Sequence, residues 1–243
     1  MINDAYTALA GVYENLICDD DYNAWASMVV ETIKTSVNGT IGLDLACGSG
    51  FFTRALKRAG FKVTGVDISQ EMLCVAKQKC QLEGLNIEFL CQDISKLKTF
   101  NKVDFVTIIN DGINYLNKSQ LERAFKAIRS ALKPDGVLFF DFSTEYKLTK
   151  VIGNNLFGED REDVSYLWFN SLDGDTVKMD LSFFIKDGDR YIKKEESHVQ
   201  YVHTLDQVVG LLEKLGYKSI IAQNHMGGEI KKDTQRIQIL ARR

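Results

Sequence analysis

Residues 41–50 carry the residue types that hold a nucleoside. They read Ile-Gly-Leu-Asp-Leu-Ala-Cys-Gly-Ser-Gly, an apolar strand followed by a glycine turn. Gly48 and Gly50 let the backbone turn sharply and approach a ligand without a Cβ atom, and a following helix offers free N–H groups and its positive dipole end. Asp67 ends a second apolar run 19 positions after Gly48, where a carboxylate can accept hydrogen bonds from a ribose diol. Together these residues predict a nucleoside-cofactor site.

The glycine spacing distinguishes between two cofactor classes. A dinucleotide fingerprint needs a third glycine three residues after the second, for close packing of helix on strand. Thr53, a β-branched residue, occupies that position, which argues against a nicotinamide-dependent dehydrogenase. The run from Asp44 instead resembles motif I of the class I S-adenosylmethionine-dependent methyltransferases, Asp-x-Gly-x-Gly-x-Gly. Ala46 replaces the first glycine of that motif.

The resemblance implies a role for each part of this motif. Ala46, Gly48 and Gly50 are expected to let the methionine part of S-adenosylmethionine lie close to the backbone. A turn without a ligand is the alternative for the glycines. Asp67 is expected to bind the ribose hydroxyls. Aspartates at strand ends often cap the next helix, but Ser69 is already placed to do that.

Two further runs resemble the family's adenine-binding residues. Ile68 and Met72 occupy the positions whose apolar side chains sandwich the adenine, with core packing as the alternative for Met72. The third predicted strand ends in Cys91-Gln92-Asp93-Ile94. The family uses an acid there for the adenine amino group and the next backbone amide for a ring nitrogen, which implies these roles for Asp93 and Ile94. A surface carboxylate is the alternative for Asp93.

The fourth strand and the N-terminal region supply the remaining cofactor candidates. Asn110 follows the fourth strand, where the resemblance implies contact with the cofactor amine or with the acceptor. The Pro-Pro motif of DNA and protein-amide methyltransferases does not occur there, which argues against those substrates. Residues 6–25 resemble the leader of glycine and amino-sugar N-methyltransferases, which closes over the cofactor. Tyr13 and Trp25 are its candidate contacts; the alternative is that they only attach the leader to the core.

His198 is the candidate catalytic residue. An oxygen or ammonium acceptor must lose a proton during methyl transfer, so a base near the acceptor can help. A structural or exposed histidine is the alternative. Aromatic side chains in the same region would form an acceptor pocket or, equally, a dimer face. They are Tyr166, Trp168, Phe169, Phe183, Phe184, Tyr191 and Tyr201.

Alternating strand and helix patterns must position these residues. They predict an α/β fold, a Rossmann-like doubly wound, mostly parallel seven-stranded sheet with a small antiparallel β insertion after strand five. Capping boxes at 119–122 and 204–207 predict two helix starts, and Ser69 a third. The predicted strands cover about 41–46, 62–67, 86–91, 103–109, 137–142, 217–223 and 236–243.

The insertion follows from a change of period. Residues 164–202 alternate as strands do, and Asp-Gly-Asp turns at 173–175 and 187–189 predict three antiparallel strands. We expect a single methyltransferase domain over 1–243, with a helical lid over 1–40 and an acceptor-side cap over about 160–203.

Composition limits the possible partners. The net charge of −3 and the pI of about 5.7 give no global basic field for nucleic acid. Five cysteines without metal-ligand spacing, and no targeting or membrane-spanning pattern, favour reduced thiols in a cytoplasmic protein without a metal or membrane partner. A monomer or a homodimer is expected.

Taken with the resemblance, these observations predict an enzyme. It would transfer a methyl group from S-adenosylmethionine to N or O of a small-molecule acceptor by in-line displacement. The alternatives are an RNA methyltransferase and a non-catalytic S-adenosylmethionine-binding module, since binding and turnover use overlapping residues.

Overall fold

The structure, a computed structural model, describes residues 20–98 and 101–243. Strands and helices alternate along most of this range. The helices are α1 (Asp20–Ser36), α2 (Phe51–Arg58), α3 (Gln70–Leu82), α4 (Lys118–Ala131) and α5 (Leu205–Lys214). The strands are β1 (Ile41–Leu45), β2 (Lys62–Asp67), β3 (Glu88–Cys91), β4 (Val103–Ile108), β5 (Leu132–Ser143), β6 (Leu156–Asp160), β7 (Val164–Asp173), β8 (Thr176–Asp187), β9 (Arg190–Tyr201), β10 (Lys218–Asn224) and β11 (Arg236–Arg242).

Seven strands form the central sheet, in the order β10-β11-β5-β4-β1-β2-β3. β11 pairs antiparallel with both β10 and β5, and the pairs among β1 to β5 are parallel. The prediction of a doubly wound, mostly parallel seven-stranded sheet is therefore confirmed. Strand order reverses between β1 and β4, and such a switch point is where ligands bind in open α/β sheets.

Helices cover both faces of this sheet. Phe125 of α4 packs with Phe140 and other apolar residues of one face, together with the apolar side of α5. On the other face, Trp25 and Ile33 of α1 and Phe52 of α2 pack against the sheet. Burying these apolar surfaces is the main source of stability and fixes the carboxyl ends of β1, β2, β3 and β4 along one edge.

A second, antiparallel sheet follows β5, in the order β6-β7-β8-β9. The prediction of three strands at this place was one short, because β6 was not foreseen. β6 spans only Leu156–Asp160, contains Gly158 and is mostly exposed, so it lacks the alternation that marks a half-buried strand. The predicted turns are present, with Gly174 and Gly188 both at positive φ.

Side-chain caps start three of the helices. Ser69 Oγ accepts the Met72 N–H at 3.1 Å, and Thr204 forms the predicted capping box with Gln207. The capping box predicted at 119–122 was wrong: the box is formed by Asn117 and Gln120. Two overlapping capping patterns compete here, and Ser119 Oγ accepts from Arg123 instead.

No helix in the described part of the chain is both long and apolar enough to cross a membrane.

Candidate functional site

The loop after β1 is shaped by backbone that favours glycine. Ala46, Gly48 and Gly50 all have positive φ, at 52°, 52° and 76°. Gly50 precedes α2 directly and provides no side-chain cap, so the first N–H groups of α2 face the loop. A Cβ on Gly48 would lie 3.2 Å from Met72 Cε, so the absence of a side chain leaves the space between the loop and Met72 unfilled.

Asp67 ties the end of β2 to this loop. Its Oδ2 accepts the Gly48 N–H at 2.7 Å, and its Oδ1 accepts the Ser69 N–H at 2.9 Å. Burial raises the pKa of Asp67, although both N–H groups stabilise the carboxylate. The remaining lone pairs of the two oxygens leave room for further donors.

A cleft that is open to solvent lies at the carboxyl ends of β1, β2, β3 and β4. Eight of the predicted cofactor residues line it: Ala46, Gly48, Asp67, Ile68, Met72, Asp93, Ile94 and Asn110. Ile68 is 60% exposed although it is apolar, whereas Met72 is buried. An exposed apolar side chain in a cleft is suited to contact a flat, apolar ligand face.

Asp93 has a structural contact besides its place in the cleft. Its Oδ1 accepts the Ser95 N–H at 2.8 Å and caps the short helical turn Ile94–Lys96. Lys96 Nζ lies 3.7 Å from its other oxygen.

Asp44 joins the sheet to α2 beneath the cleft. It accepts hydrogen bonds from Thr53 Oγ1 at 2.5 Å and Thr107 Oγ1 at 2.7 Å. Thr53 is the residue in the position where a dinucleotide fingerprint has glycine, and its hydroxyl explains why a side chain is useful there. Burial raises the pKa of Asp44 to about 6, against the lowering effect of both hydroxyls.

The chain resembles known proteins along nearly its whole length. Residues 43–136 match the model of the methyltransferase domain family. Over 217 residues the chain is 35% identical to the candidate methyltransferase YqeM of Bacillus subtilis, covering 88% of this chain and 86% of that protein. A solved S-adenosylmethionine-dependent methyltransferase from Clostridium acetobutylicum ATCC 824 is 34% identical, with a TM-score of 0.88 and coverage of 98% of both chains. The chain belongs to the S-adenosylmethionine-dependent methyltransferases.

A more distant structure shows the same fold. An amino pentose methyltransferase from Micromonospora echinaspora, solved with S-adenosylmethionine bound, has a TM-score of 0.72 and 19% identity, and the match covers 90% of this chain and 89% of that one. S-adenosylmethionine is the cofactor of this methyltransferase. The cleft fits it, because a loop without a Cβ atom at Gly48, a carboxylate at Asp67 and an exposed apolar side chain at Ile68 meet there.

Of the predicted site residues that the structure describes, three are not among those lining the cleft: Gly50, Trp25 and His198. A Cβ on Gly50 would lie 3.1 Å from Ala76 Cβ and 3.2 Å from Phe89 Cζ, so Gly50 faces α3 and β3. Trp25 is 4% exposed and packs edge-on against Phe52, with 5.0 Å between ring centroids. Tyr13 lies outside the described residues, and His198 lies on β9 of the second sheet.

Tyr22 reaches the cleft instead of Trp25. It lines the cleft together with Phe51 and Phe52, and sequence reasoning missed all three. A signal was available, because Tyr22 and Trp25 are three residues apart and lie on one side of a helix. Their rings are 5.4 Å apart, so Trp25 supports a residue that lines the cleft.

His198 is buried in the second sheet. Its Nε2 lies 3.0 Å from Glu196 Oε2, and both side chains are almost fully buried. The His198 ring lies edge-on to Tyr115, 6.1 Å between centroids, and Tyr115 lines the cleft. His198 therefore adjoins the cleft through one intervening aromatic side chain.

Proposed function

We propose that this methyltransferase transfers its methyl group to N or O of a small-molecule acceptor by in-line displacement. The observation that carries the proposal is the junction of the second sheet with the cleft. Asn114, in the turn Gly112–Tyr115 after β4, donates through Nδ2 to the Tyr201 carbonyl of β9 at 3.1 Å. This hydrogen bond ties the second sheet to the turn that follows Asn110. A sheet attached at that place would restrict access to the acceptor side of the cleft, which suits a small acceptor better than a long nucleic-acid chain.

The proposal assigns the cofactor's parts to the residues of the cleft. Asp67 would accept from the ribose hydroxyls, since backbone N–H groups fix its orientation. Ile68 and Met72 would contact the adenine faces, and Asp93 with the Ile94 amide would contact the adenine edge. The methionine part would lie along residues 46–50 and reach Asn110. In the same proposal, residues 1–40, which include Tyr13 and Trp25, would form a lid over the cofactor. Residues of about 160–203 would form a cap on the acceptor side.

When bound, S-adenosylmethionine supplies an electrophilic methyl group on a sulfonium. The protein's own contribution is then alignment of the acceptor and exclusion of water, because displacement at a methyl carbon needs little covalent help. Tyr22, Phe51 and Tyr115 supply apolar walls for that purpose. A neutral amine needs no base for its attack, whereas an ammonium or hydroxyl must lose a proton.

His198 is our candidate for contacting the acceptor or accepting that proton. Glu196 would orient its imidazole ring, as a carboxylate does in many proton-transfer pairs. His198→Ala should lower turnover without weakening cofactor binding. Val199→Ala is a matched control, because Val199 is partly exposed on the opposite face of the same strand. Unchanged turnover in His198→Ala with the true acceptor would remove this role.

Calorimetric titration followed by an acceptor screen tests the proposal. S-adenosylmethionine and S-adenosylhomocysteine should bind in the micromolar range, and NAD should not. Amines and alcohols, amino sugars first, are then screened for release of S-adenosylhomocysteine. RNA binding that weakens steeply with salt would favour the RNA methyltransferase. Cofactor binding without turnover of any acceptor would favour the non-catalytic module.

Free thiols support a reducing, cytoplasmic location as part of this proposal. Cys47, Cys74, Cys80 and Cys91 are all free. Thiols persist in compartments kept reduced, whereas oxidising compartments favour disulfides.

A further inference from the structure

The segment after β4 alternates between the cleft and the protein interior. Asn110 and Gly112 line the cleft, and the Asp111 side chain between them turns into a buried polar cluster. Asn110 and Asp111 have φ values of 70° and 52°, a left-handed conformation that is uncommon outside glycine, although Asn and Asp adopt it more readily than other residues. Such backbone persists only where surrounding contacts hold it in place.

A single carboxylate holds both left-handed residues. Asp141 of β5 accepts the Asn110 N–H through Oδ1 at 2.6 Å and the Asp111 N–H through Oδ2 at 3.0 Å. Asp141 is 1% exposed, so these charge-assisted hydrogen bonds form away from competing water. Its position on a central strand makes it a rigid support.

Arg236 of β11 holds both acids. Its guanidinium donates to Asp141 Oδ2 and, at 3.1 Å, to Asp111 Oδ1. Gln200 of β9 donates to Asp111 Oδ2 at 2.8 Å. The segment is therefore held in two ways. Its backbone is bonded to Asp141 of β5, and its Asp111 side chain is bonded to Gln200 of β9 and Arg236 of β11.

Arg236 also contacts a residue that supports the opposite side of the cleft. Its guanidinium carbon lies 5.1 Å from the centre of the Trp25 ring, within the range of a cation–π contact. Trp25 in turn packs on Tyr22, which lines the cleft. One buried arginine thus contacts the support of both Asn110 and Tyr22.

We infer that Asp141 and Arg236 are positioning residues, which hold Asn110 in place to receive the amino-acid end of S-adenosylmethionine. The inference rests on the proposed placement of the cofactor. Neither residue is expected to touch the ligand. Each acts through the backbone between Ile109 and Gly112, which carries Asn110 into the cleft.

The affinities for two compounds related to the cofactor distinguish this positioning role from a general effect on folding. S-adenosylhomocysteine carries the amino-acid end, and 5′-methylthioadenosine lacks it. Asp141→Asn presents an NH₂ group to one of the two backbone N–H donors and so releases part of the segment. By calorimetry, this variant should bind S-adenosylhomocysteine about tenfold more weakly or worse, from the loss of a charge-assisted hydrogen bond. Its affinity for 5′-methylthioadenosine should change by less than about threefold, because the ribose and adenine contacts remain.

Asp104→Asn is the matched control. Asp104 also accepts a backbone N–H, from Ile41 at 2.9 Å, and pairs with Lys133 at 2.8 Å, but at the opposite end of β4. It should leave both affinities unchanged. Arg236→Lys is the second variant, for use if Asp141→Asn does not fold. It keeps the buried positive charge, loses the fork that reaches both acids, and should separate the two ligands in the same direction.

Asn110→Ala separates the positioning role of Asp141 and Arg236 from the proposed placement of the cofactor. If Asn110→Ala separates the two ligands but neither Asp141→Asn nor Arg236→Lys does, the positioning role is overturned and the placement of the cofactor stands. If Asn110→Ala affects both ligands equally or neither, the placement is wrong and the inference falls with it. Equal weakening of both ligands in Asp141→Asn would likewise overturn positioning in favour of a structural role.

Discussion

The two sides of the cleft are held by different kinds of contact. We call residues 46–50, 67–72 and 92–94 the glycine wall, and residues 109–116 the β4 wall. In the glycine wall, Asp67 and Asp93 each accept an N–H two residues further along the chain. In the β4 wall, Asp111 pairs with Arg236, 125 positions away. The glycine wall is set mainly by local sequence, and the β4 wall by the assembled sheet.

Because of this difference, we expect substitutions far from the cleft to disturb the β4 wall more than the glycine wall. A local turn with its own hydrogen bonds keeps its shape after distant changes. A strained segment held by buried charges depends on every strand that supplies a partner.

Arg236→Met should give the largest loss of stability. It leaves the buried carboxylates of Asp111 and Asp141 without their cation, which costs about 3–5 kcal/mol in the free energy of unfolding. Arg58→Met is the control, since Arg58 pairs with Glu83 at the surface and should lose less than about 1 kcal/mol. Denaturant unfolding measures both. Equal losses in the two variants would remove the contrast between the walls.

Asp44→Asn should produce a smaller effect that depends on pH. The folded pKa of Asp44, about 6, lies above its ordinary value of 3.8, so this group destabilises the fold progressively as pH rises from about 4 to 6. Thr53 and Thr107 can rotate their hydroxyls to suit an amide. The stability of Asp44→Asn relative to the wild type should therefore increase by roughly 1–3 kcal/mol between pH 4 and pH 7.

Urea unfolding at several pH values in this range measures that difference. An unchanged difference would show that Asp44 has an ordinary pKa. Ionisation of Asp44, which accepts hydrogen bonds from Thr53 and Thr107, would then not destabilise the fold.

Local sequence explains why the glycine wall could be predicted. Gly48 lies in one strand–turn–helix unit, and Asp67 and Ser69 lie in the next, so local patterns were enough to predict these turns and their proposed ligand contacts. The β4 wall could not be foreseen in the same way. Asp141 lies inside an apolar strand and Arg236 near the end of the chain, and neither shows a motif. Only the pairing of β11 with β5 brings them together.

The second sheet shows a similar limit. Alternation predicted its long strands but not β6, and it placed His198 on a strand without showing whether its side chain faces the cleft. Burial against Glu196 and Tyr115 is decided by how the sheet packs on the turn after β4. Residue spacing along β9 could not specify that contact.

Ala46→Gly should give the smallest effect. Ala46 has a φ of 52°, where alanine is strained by about 1–2 kcal/mol and glycine is not. The greater freedom of glycine in the unfolded chain offsets part of this gain, leaving about 0.5–1 kcal/mol of stabilisation. Thermal unfolding measures the shift. A loss of stability would show that the Ala46 methyl group has a packing role in the glycine wall.

The most direct test of the division between the walls is calorimetric titration of Asp67→Ala with S-adenosylhomocysteine and 5′-methylthioadenosine. Both ligands carry the ribose, so both should lose affinity by the same factor, roughly 30-fold or more for two hydrogen bonds to a carboxylate. An unfolding curve of the same sample shows that the variant is folded. Retained affinity for 5′-methylthioadenosine in folded Asp67→Ala would contradict the account, because the ribose would then not be held by the glycine wall.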